Sequence, residues 1–214
     1  MAEGDPPPGD IIAEIASGVS AFDAAEWDSL NLSANPFVGH AFLSALEASG
    51  SVGKGTGWSP APIVIRGGDG KLAGALPAYL KTHSQGEYVF DHGWSDAYER
   101  AGGRYYPKLQ IAAPFSPVPG PRILARDDET GLKLLRAAES VVVQNGLSSA
   151  HATFVEESQL DLFRNAGWLI RNGTQFHWQN NGYASFDDFM ASLSSRKRRA
   201  IRKERAAAQA AVEI

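Results

Sequence analysis

Hydrophobic and polar positions alternate with two distinct periods along the chain. From Asp128 to Asn145 the apolar residues recur at helical spacing, with Leu132, Leu135 and Val142 on one stripe and Gly146 behind them, which predicts an amphipathic helix. Shorter helices are predicted over Asp23–Leu30 and Ser158–Ala166, the second ended by Gly167. Asn35-Pro36 opens another, with Asn as the cap and Pro at the first helical position. Phe42 and Leu46 then share a face, and Gly50 suits the end of that helix.

Strand-like runs fall between these helices. Pro62–Arg66 and Leu72–Lys81 flank Gly67-Gly68-Asp69-Gly70 and read as a hairpin. Further strands are predicted at Ile11–Ile15, Lys108–Ala113, Ser149–Val155 and Trp168–Trp178. Residues 84–121 are otherwise read as one long loop, rich in aromatic residues, Gly and Pro, and loops of that kind commonly carry function. This order predicts an α/β (α+β) fold, a mixed sheet with helices on both faces.

The last helix starts at Ser185, where Ser185-x-x-Asp188 forms a capping box. Phe186, Phe189, Met190, Leu193 and Ile201 lie within about 120° of arc at helical spacing. Arg196, Arg199 and Lys203 fall on one flank, Arg198, Arg202 and Arg205 on the other, and Lys197 within the apolar sector. Val212–Ile214 reads as the start of another strand, so the chain is expected to be the first part of a longer protein. Residues 1–10 are read as a disordered leader, 11–183 as a first domain and 184–214 as a basic connecting helix into a second domain.

Composition narrows the chemistry. The chain has 214 residues, 43% of them hydrophobic, which is enough for a packed core. With no cysteine, a disulfide scaffold, a Cys-ligated zinc site and a Cys nucleophile are all excluded. The N-terminal residues lack the basic and apolar regions of a secretory signal, and a cytoplasmic location is expected. The net charge of -4 conceals an asymmetry. Residues 196–205 hold seven basic side chains and one acidic one, so that stretch is +6 and the remainder -10. A global nucleic-acid field is not supported, whereas a local anion site is. A density of seven in ten favours binding over simple solvation, with nucleic acid, or a phosphate-bearing small substrate or lipid headgroup, as the ligand.

Other motifs carry less. Gly53-Lys54-Gly55-Thr56-Gly57 follows a helix and lacks Ser or Thr after the lysine, so it reads as a flexible loop and not a phosphate loop. Asp91, His92, Asp96 and Glu99 match no common metal spacing, and no metal is assigned. The same loop is dense in groups able to take a proton from an attacking amine: Asp91, His92, Asp96, Tyr98, Glu99, Tyr105 and Tyr106.

Several segments resemble the FemAB-like N-acyltransferases of the GNAT superfamily. They are Asn35-Pro36-Phe37, His40-Ala-Phe42-Leu43, Gly57-Trp58, Tyr88-Val-Phe-Asp91 and Trp94-Ser-Asp96-Ala-Tyr98-Glu99-Arg100. Tyr105-Tyr106-Pro107-Lys108-Leu109, Pro114–Arg122, Thr174–Trp178 and Leu193-Ser194-Ser195 before Lys197-Arg198 add to them. The likeness runs from about Asn35 to Arg205, and its departure at His92-Gly93 argues against a catalytic role for His92.

The resemblance implies a GNAT-like fold, two such domains in tandem with only the first supplied here, and transfer of an acyl or aminoacyl group to an amine. The implied acceptor is a cell-wall peptide precursor, as in peptidoglycan biosynthesis. The implied donor is acyl-CoA or aminoacyl-tRNA, with tRNA then a partner. The closest thing to the GNAT pyrophosphate motif, Arg100-Ala-Gly-Gly103-Arg-Tyr105, fails at its last position, so this half shows no clear CoA site. On this reading Asp91, Asp96 and Tyr106 are the catalytic candidates. Tyr88, Trp94, Tyr98, Tyr105, Lys108 and Arg122 line the acceptor cleft, and Lys197, Arg198, Arg199, Arg202 and Lys203 contact an anion. The basic helix then belongs to a cleft between two halves, and the fragment alone is expected to be inactive. The competing reading is a non-catalytic module that holds RNA or another polyanion on that helix.

Overall fold

The computed structural model describes residues 13–210. The leader, Ile11, Ile12 and the strand expected at Val212–Ile214 lie outside them. The chain divides into two compact units, the first reaching Asn172 and the second starting at Gly173. Among the described residues no helix is long and apolar enough to cross a membrane.

The predicted hairpin organises the first unit. Its outgoing arm is β2 (Trp58–Pro60) and β3 (Ile63–Arg66); its return arm is β4 (Leu72–Leu76) and β5 (Ala78–Lys81). Proline has no N–H to give a ladder, and Pro62 and Pro77 stand where each arm changes sheet. One sheet has the order β1-β3-β4-β7, with β1 at Ala13–Ile15 and β7 at Leu124–Ala125, and is antiparallel throughout. The other has the order β2-β5-β6-β8, with β6 at Lys108–Ile111 and β8 at Ala150–Ala152. In it β6 and β8 run parallel, as a crossover through helix α4 (Asp128–Gln144) requires. The fold is therefore α/β, with its strands shared between two four-stranded sheets.

Period-two alternation gives the first sheet two apolar faces. Ile63, Ile65 and Leu76 pack with Leu134, Leu135, Ala138 and Val141 of α4 and with Phe163 of α5 (Leu160–Asn165). Val64, Ala75 and Leu124 point the other way. They meet Trp27 of α1 (Ala24–Asp28) and Leu43 of α2 (His40–Ala48). The Trp27 indole donates to the Val38 carbonyl at 3.0 Å, which satisfies its one polar atom in the core. Helices thus cover both faces of this sheet, as predicted.

Four local expectations change. The buried stripe of α4 runs through Gly131, Leu134, Leu135, Ala138 and Val141, and Leu132 is only partly buried. The 84–121 stretch contains a further helix, α3 (His92–Arg100), eight of whose nine residues are exposed. Such a helix has no apolar stripe to announce it. The strand expected at Trp168–Trp178 does not form: the chain there has no strand partner, and Leu169 and Phe176 are almost fully exposed. Finally, the basic helix is two helices. α6 (Phe186–Ser192) stops where Leu193 turns extended, and α7 (Ser195–Ala210) begins after Ser194. The Ser194 side chain accepts from the Lys197 amide, a new cap that interrupts the stripe between Leu193 and Ile201.

Close packing of α4 on β4 depends on Gly74. A Cβ there would lie 2.8 Å from Thr130 Cγ2 and 2.9 Å from Leu134 Cδ1. Gly74→Val is expected to lower stability by about 1–3 kcal/mol through overpacking. Urea denaturation checks it, and unchanged stability would refute the packing account.

Candidate functional site

The second sheet has unlike faces. Ala78, Leu80, Leu109, Ile111, Ala150 and Ala152 join the core beneath α4. The register pairs Trp58 with Lys81, and Lys81 with Lys108, along one row of the opposite face. The next row on that face pairs Tyr79 with Gln110, and Gln110 with His151. A face this polar would ordinarily meet water. Here Tyr79, Lys81, Lys108 and Gln110 are all almost completely buried.

The segment after β5 makes that burial possible by bringing down two carboxylates. Lys108 Nζ donates at 2.8 Å to Glu87 Oε2, at 2.8 Å to Asp91 Oδ2 and at 3.0 Å to Ser84 Oγ. Lys81 Nζ lies 4.0 Å from Glu87 Oε1, donates to the Gln85 carbonyl at 3.2 Å, and sits 3.6 Å above the Trp58 ring. Asp91 Oδ2 also accepts from Tyr105 Oη and Ser84 Oγ, each at 2.8 Å. Ser84 has one proton and gives it to Asp91, so the Tyr106 hydroxyl, 2.7 Å away, is the donor to Ser84. The result is a directed relay, Tyr106 to Ser84 to Asp91, whose outer end is only partly buried.

The electrostatics follow from this geometry. Burial alone would raise the Asp91 carboxyl; hydrogen bonds from Lys108, Ser84 and Tyr105 outweigh it and hold the group at about 2. Burial pushes Glu87 above the ordinary carboxylate range, with Lys108 pulling against it. Burial lowers the Lys81 ammonium to about 8, with Glu87 opposing the shift and Lys108 adding to it. Burial, aided by Lys108, lowers His151 to about 4, so its imidazole is neutral at pH 7. Burial and the hydrogen bond to Asp91 raise Tyr105 and keep it protonated. Among the described residues, the buried side-chain oxygens Tyr79 Oη, Glu87 Oε1, Asp91 Oδ1 and Gln110 Oε1 make no hydrogen bond.

The residues expected from the sequence divide into three groups. Asp91, Tyr105, Tyr106 and Lys108 come together in the cluster. Tyr88, Trp94 and Tyr98 are exposed nearby in sequence, and Tyr98 packs edge-on against Tyr105. Tyr88 and Phe90 both have left-handed backbone, at φ 58° and 52°, which bulky residues rarely adopt. Asp96 and Arg122 stand apart. Asp96 is on the exposed surface of α3. Arg122 is buried, and its guanidinium donates to the carbonyls of Thr153, Pro121 and Val118, so it clamps backbone and does not offer itself to an acceptor.

In the second unit Arg198 is likewise spent, donating to the Ala191 and Leu193 carbonyls at the end of α6. Lys197, Arg199, Arg202 and Lys203 are exposed, and Arg196, Arg199 and Lys203 line one shallow hollow. The sequence reading missed Lys81, Ser84, Glu87 and His151. Their signal was positional: Lys81 and Lys108 lie at ends of apolar strands, and Ser149, His151 and Thr153 alternate with apolar residues.

The profile of the FemAB-like family, described as peptidoglycan biosynthesis and recognition, matches residues 18–214. No curated protein matches the chain. The crystal structure of an acetyltransferase from Trypanosoma brucei aligns with 79% of this chain and 100% of its own, at 14% identity and a TM-score of 0.41.

Two outcomes test the cluster. Lys108→Met leaves two buried carboxylates without their shared cation and is expected to cost about 3–5 kcal/mol in denaturant titrations. The lowered Lys81 ammonium means that above pH 8 the unfolded chain holds a proton the folded one has released. Lys81 therefore makes stability rise between pH 8 and 9.5, and Lys81→Met should flatten that rise. Equal slopes in the two proteins would remove Lys81 from the account.

Proposed function

The chain belongs to the FemAB-like family, and on that premise we propose that it forms part of an N-acyltransferase that passes an acyl or aminoacyl group to an amine. The observation that carries the reading is the relay from Tyr106 through Ser84 to Asp91. An amine attacking an acyl carbon must lose a proton as the new C–N bond forms. Tyr106 Oη takes that proton as its own passes to Ser84 and that of Ser84 passes to Asp91. As the C–N bond forms, the donor's thioester C–S bond (acyl-CoA) or ester C–O bond (aminoacyl-tRNA) breaks, and the relay returns the proton to the departing thiolate or alkoxide, which resets it. Lys108 and Tyr105 keep the carboxylate in place as positioning residues.

In this reading the acceptor is a peptide amine of cell-wall precursor type. The donor is acyl-CoA or aminoacyl-tRNA; both carry phosphate, and the exposed basic side chains of α7 suit phosphate oxygens. The supports are the family and the charge.

The test is a transfer assay on the full-length protein with each donor and amine acceptors. Tyr106→Phe and Asp91→Asn are expected to lower kcat by about 100-fold or more, the scale of general acid–base contributions. Asp96→Asn should run at the wild-type rate, because its carboxylate is exposed and outside the relay. A wild-type rate in Tyr106→Phe would sink the relay. Neutralising Arg199, Arg202 and Lys203 together should weaken donor binding and reduce its salt dependence. An unchanged salt slope would take α7 out of the donor site.

A further inference from the structure

We propose that Glu87 is an internal plug: its carboxylate occupies a carboxylate-binding site walled by Lys81, Lys108 and Trp58, and a ligand carboxylate takes its place.

Three observations lead there. First, the two lysines form a cationic recess in a rigid element. They are register partners on neighbouring strands, both fully buried, and Trp58 lies directly beneath Lys81. Two ammonium groups side by side repel each other and demand an anion between them. Of the two lysines Asp91 contacts Lys108, whereas Glu87 is, among the described residues, the carboxylate within ion-pair distance of both, at 2.8 Å from Lys108 and 4.0 Å from Lys81.

Second, Glu87 fills the recess imperfectly. Only Oε2 is hydrogen-bonded, while Oε1 is buried with no hydrogen-bond partner, and Lys81 gives its hydrogen bond to the Gln85 carbonyl instead. A buried acceptor left unpaired is destabilising, because it has given up water and gained nothing in return. A carboxylate free to choose its position can engage both ammonium groups with both oxygens.

Third, the backbone that carries Glu87 lies outside the sheet that carries the two lysines. The segment is held at its start, where the Gly86 carbonyl accepts from the Phe115 amide at 3.2 Å and the Glu87 amide donates to the Ser84 carbonyl at 3.3 Å, and at Asp91, whose carboxylate accepts three hydrogen bonds, so the displacement needed is of the Glu87 side chain and residues 88–90. Between them the chain has no strand or helix, and Tyr88 and Phe90 are held in left-handed conformations with exposed side chains. Such residues are strained and persist where other contacts impose them. Swinging Glu87 out releases that strain, while Asp91, Ser84, Tyr105 and Tyr106 keep their places.

A site that holds its own anion shows only the fraction of its affinity that remains when the plug is out. Glu87→Gln removes the competing charge and is expected to bind acetate about tenfold more tightly than the wild-type chain by calorimetric titration. Lys81→Met in the same background should abolish that gain. In the unaltered chain, acetate should accelerate hydrogen exchange at the amides of residues 87–90 to a plateau. Chloride at the same ionic strength should not, and amides in the middle of α4 should be unaffected.

Acetate binding no tighter in Glu87→Gln than in wild type would overturn the proposal. So would a saturable response to inorganic phosphate with none to acetate, which would assign the recess to another anion. If Glu87→Gln fails to fold, the exchange experiment on the wild-type chain decides alone. The inference stands on the geometry of the recess, and its readout is binding, so it can fail while acyl transfer holds, or hold while acyl transfer fails.

Discussion

Removing an ammonium group from water costs several kcal/mol even after the protein relaxes around it, and Lys108 is buried completely at the start of an inner strand. Glu87, Asp91 and Ser84 offset that cost together, and all three come from the irregular segment that follows β5. The segment is therefore drawn onto the sheet by charge, where an ordinary loop would be drawn by apolar contact. The position of Tyr105, the orientation of Ser84 and the direction of the relay from Tyr106 all follow from that one buried cation. Remove it, and two carboxylates remain in a low-dielectric space without the cation they share.

The second sheet assigns its two faces to different work. The face under α4 is aliphatic and contributes stability through burial. The other carries Lys81, Lys108, Tyr79, Gln110 and His151 in adjacent rows, so strand register alone sets their spacing. A site built this way is held by ladder hydrogen bonds, and the irregular backbone is confined to the segment that covers it. The exposed residues Tyr88, Phe90 and Trp94 belong to that upper part.

Much of the fold was legible because burial leaves a periodic trace. The hairpin, α4, α5 and the caps at Asn35 and Ser185 all follow from spacing and turn chemistry. α3 left no such trace, because a helix that buries only Ser95 needs no apolar stripe. The absent strand at 168–178 shows the converse: a β-like run forms no strand without a neighbour to pair with. In the site, Asp91, Tyr105, Tyr106 and Lys108 were visible as polar residues crowded into an aromatic stretch. Lys81 and Glu87 were not, since a lysine at a strand end usually points to solvent, and only the long-range pairing of β5 with β6 brings the two lysines together. Arg122 misled for a related reason: a guanidinium that clamps three carbonyls has the same sequence signature as one that awaits a substrate.

The prolines of the hairpin have a consequence for how the molecule comes apart. Pro62 and Pro77 divide each arm between two sheets, so one pair of continuous chain segments is woven into both. Neither sheet can lose the hairpin without the other losing two of its four strands. The first unit is thus a single foldon: the polar sheet that bears the site inherits the stability of the apolar one, and hydrogen exchange in the two should report the same global opening.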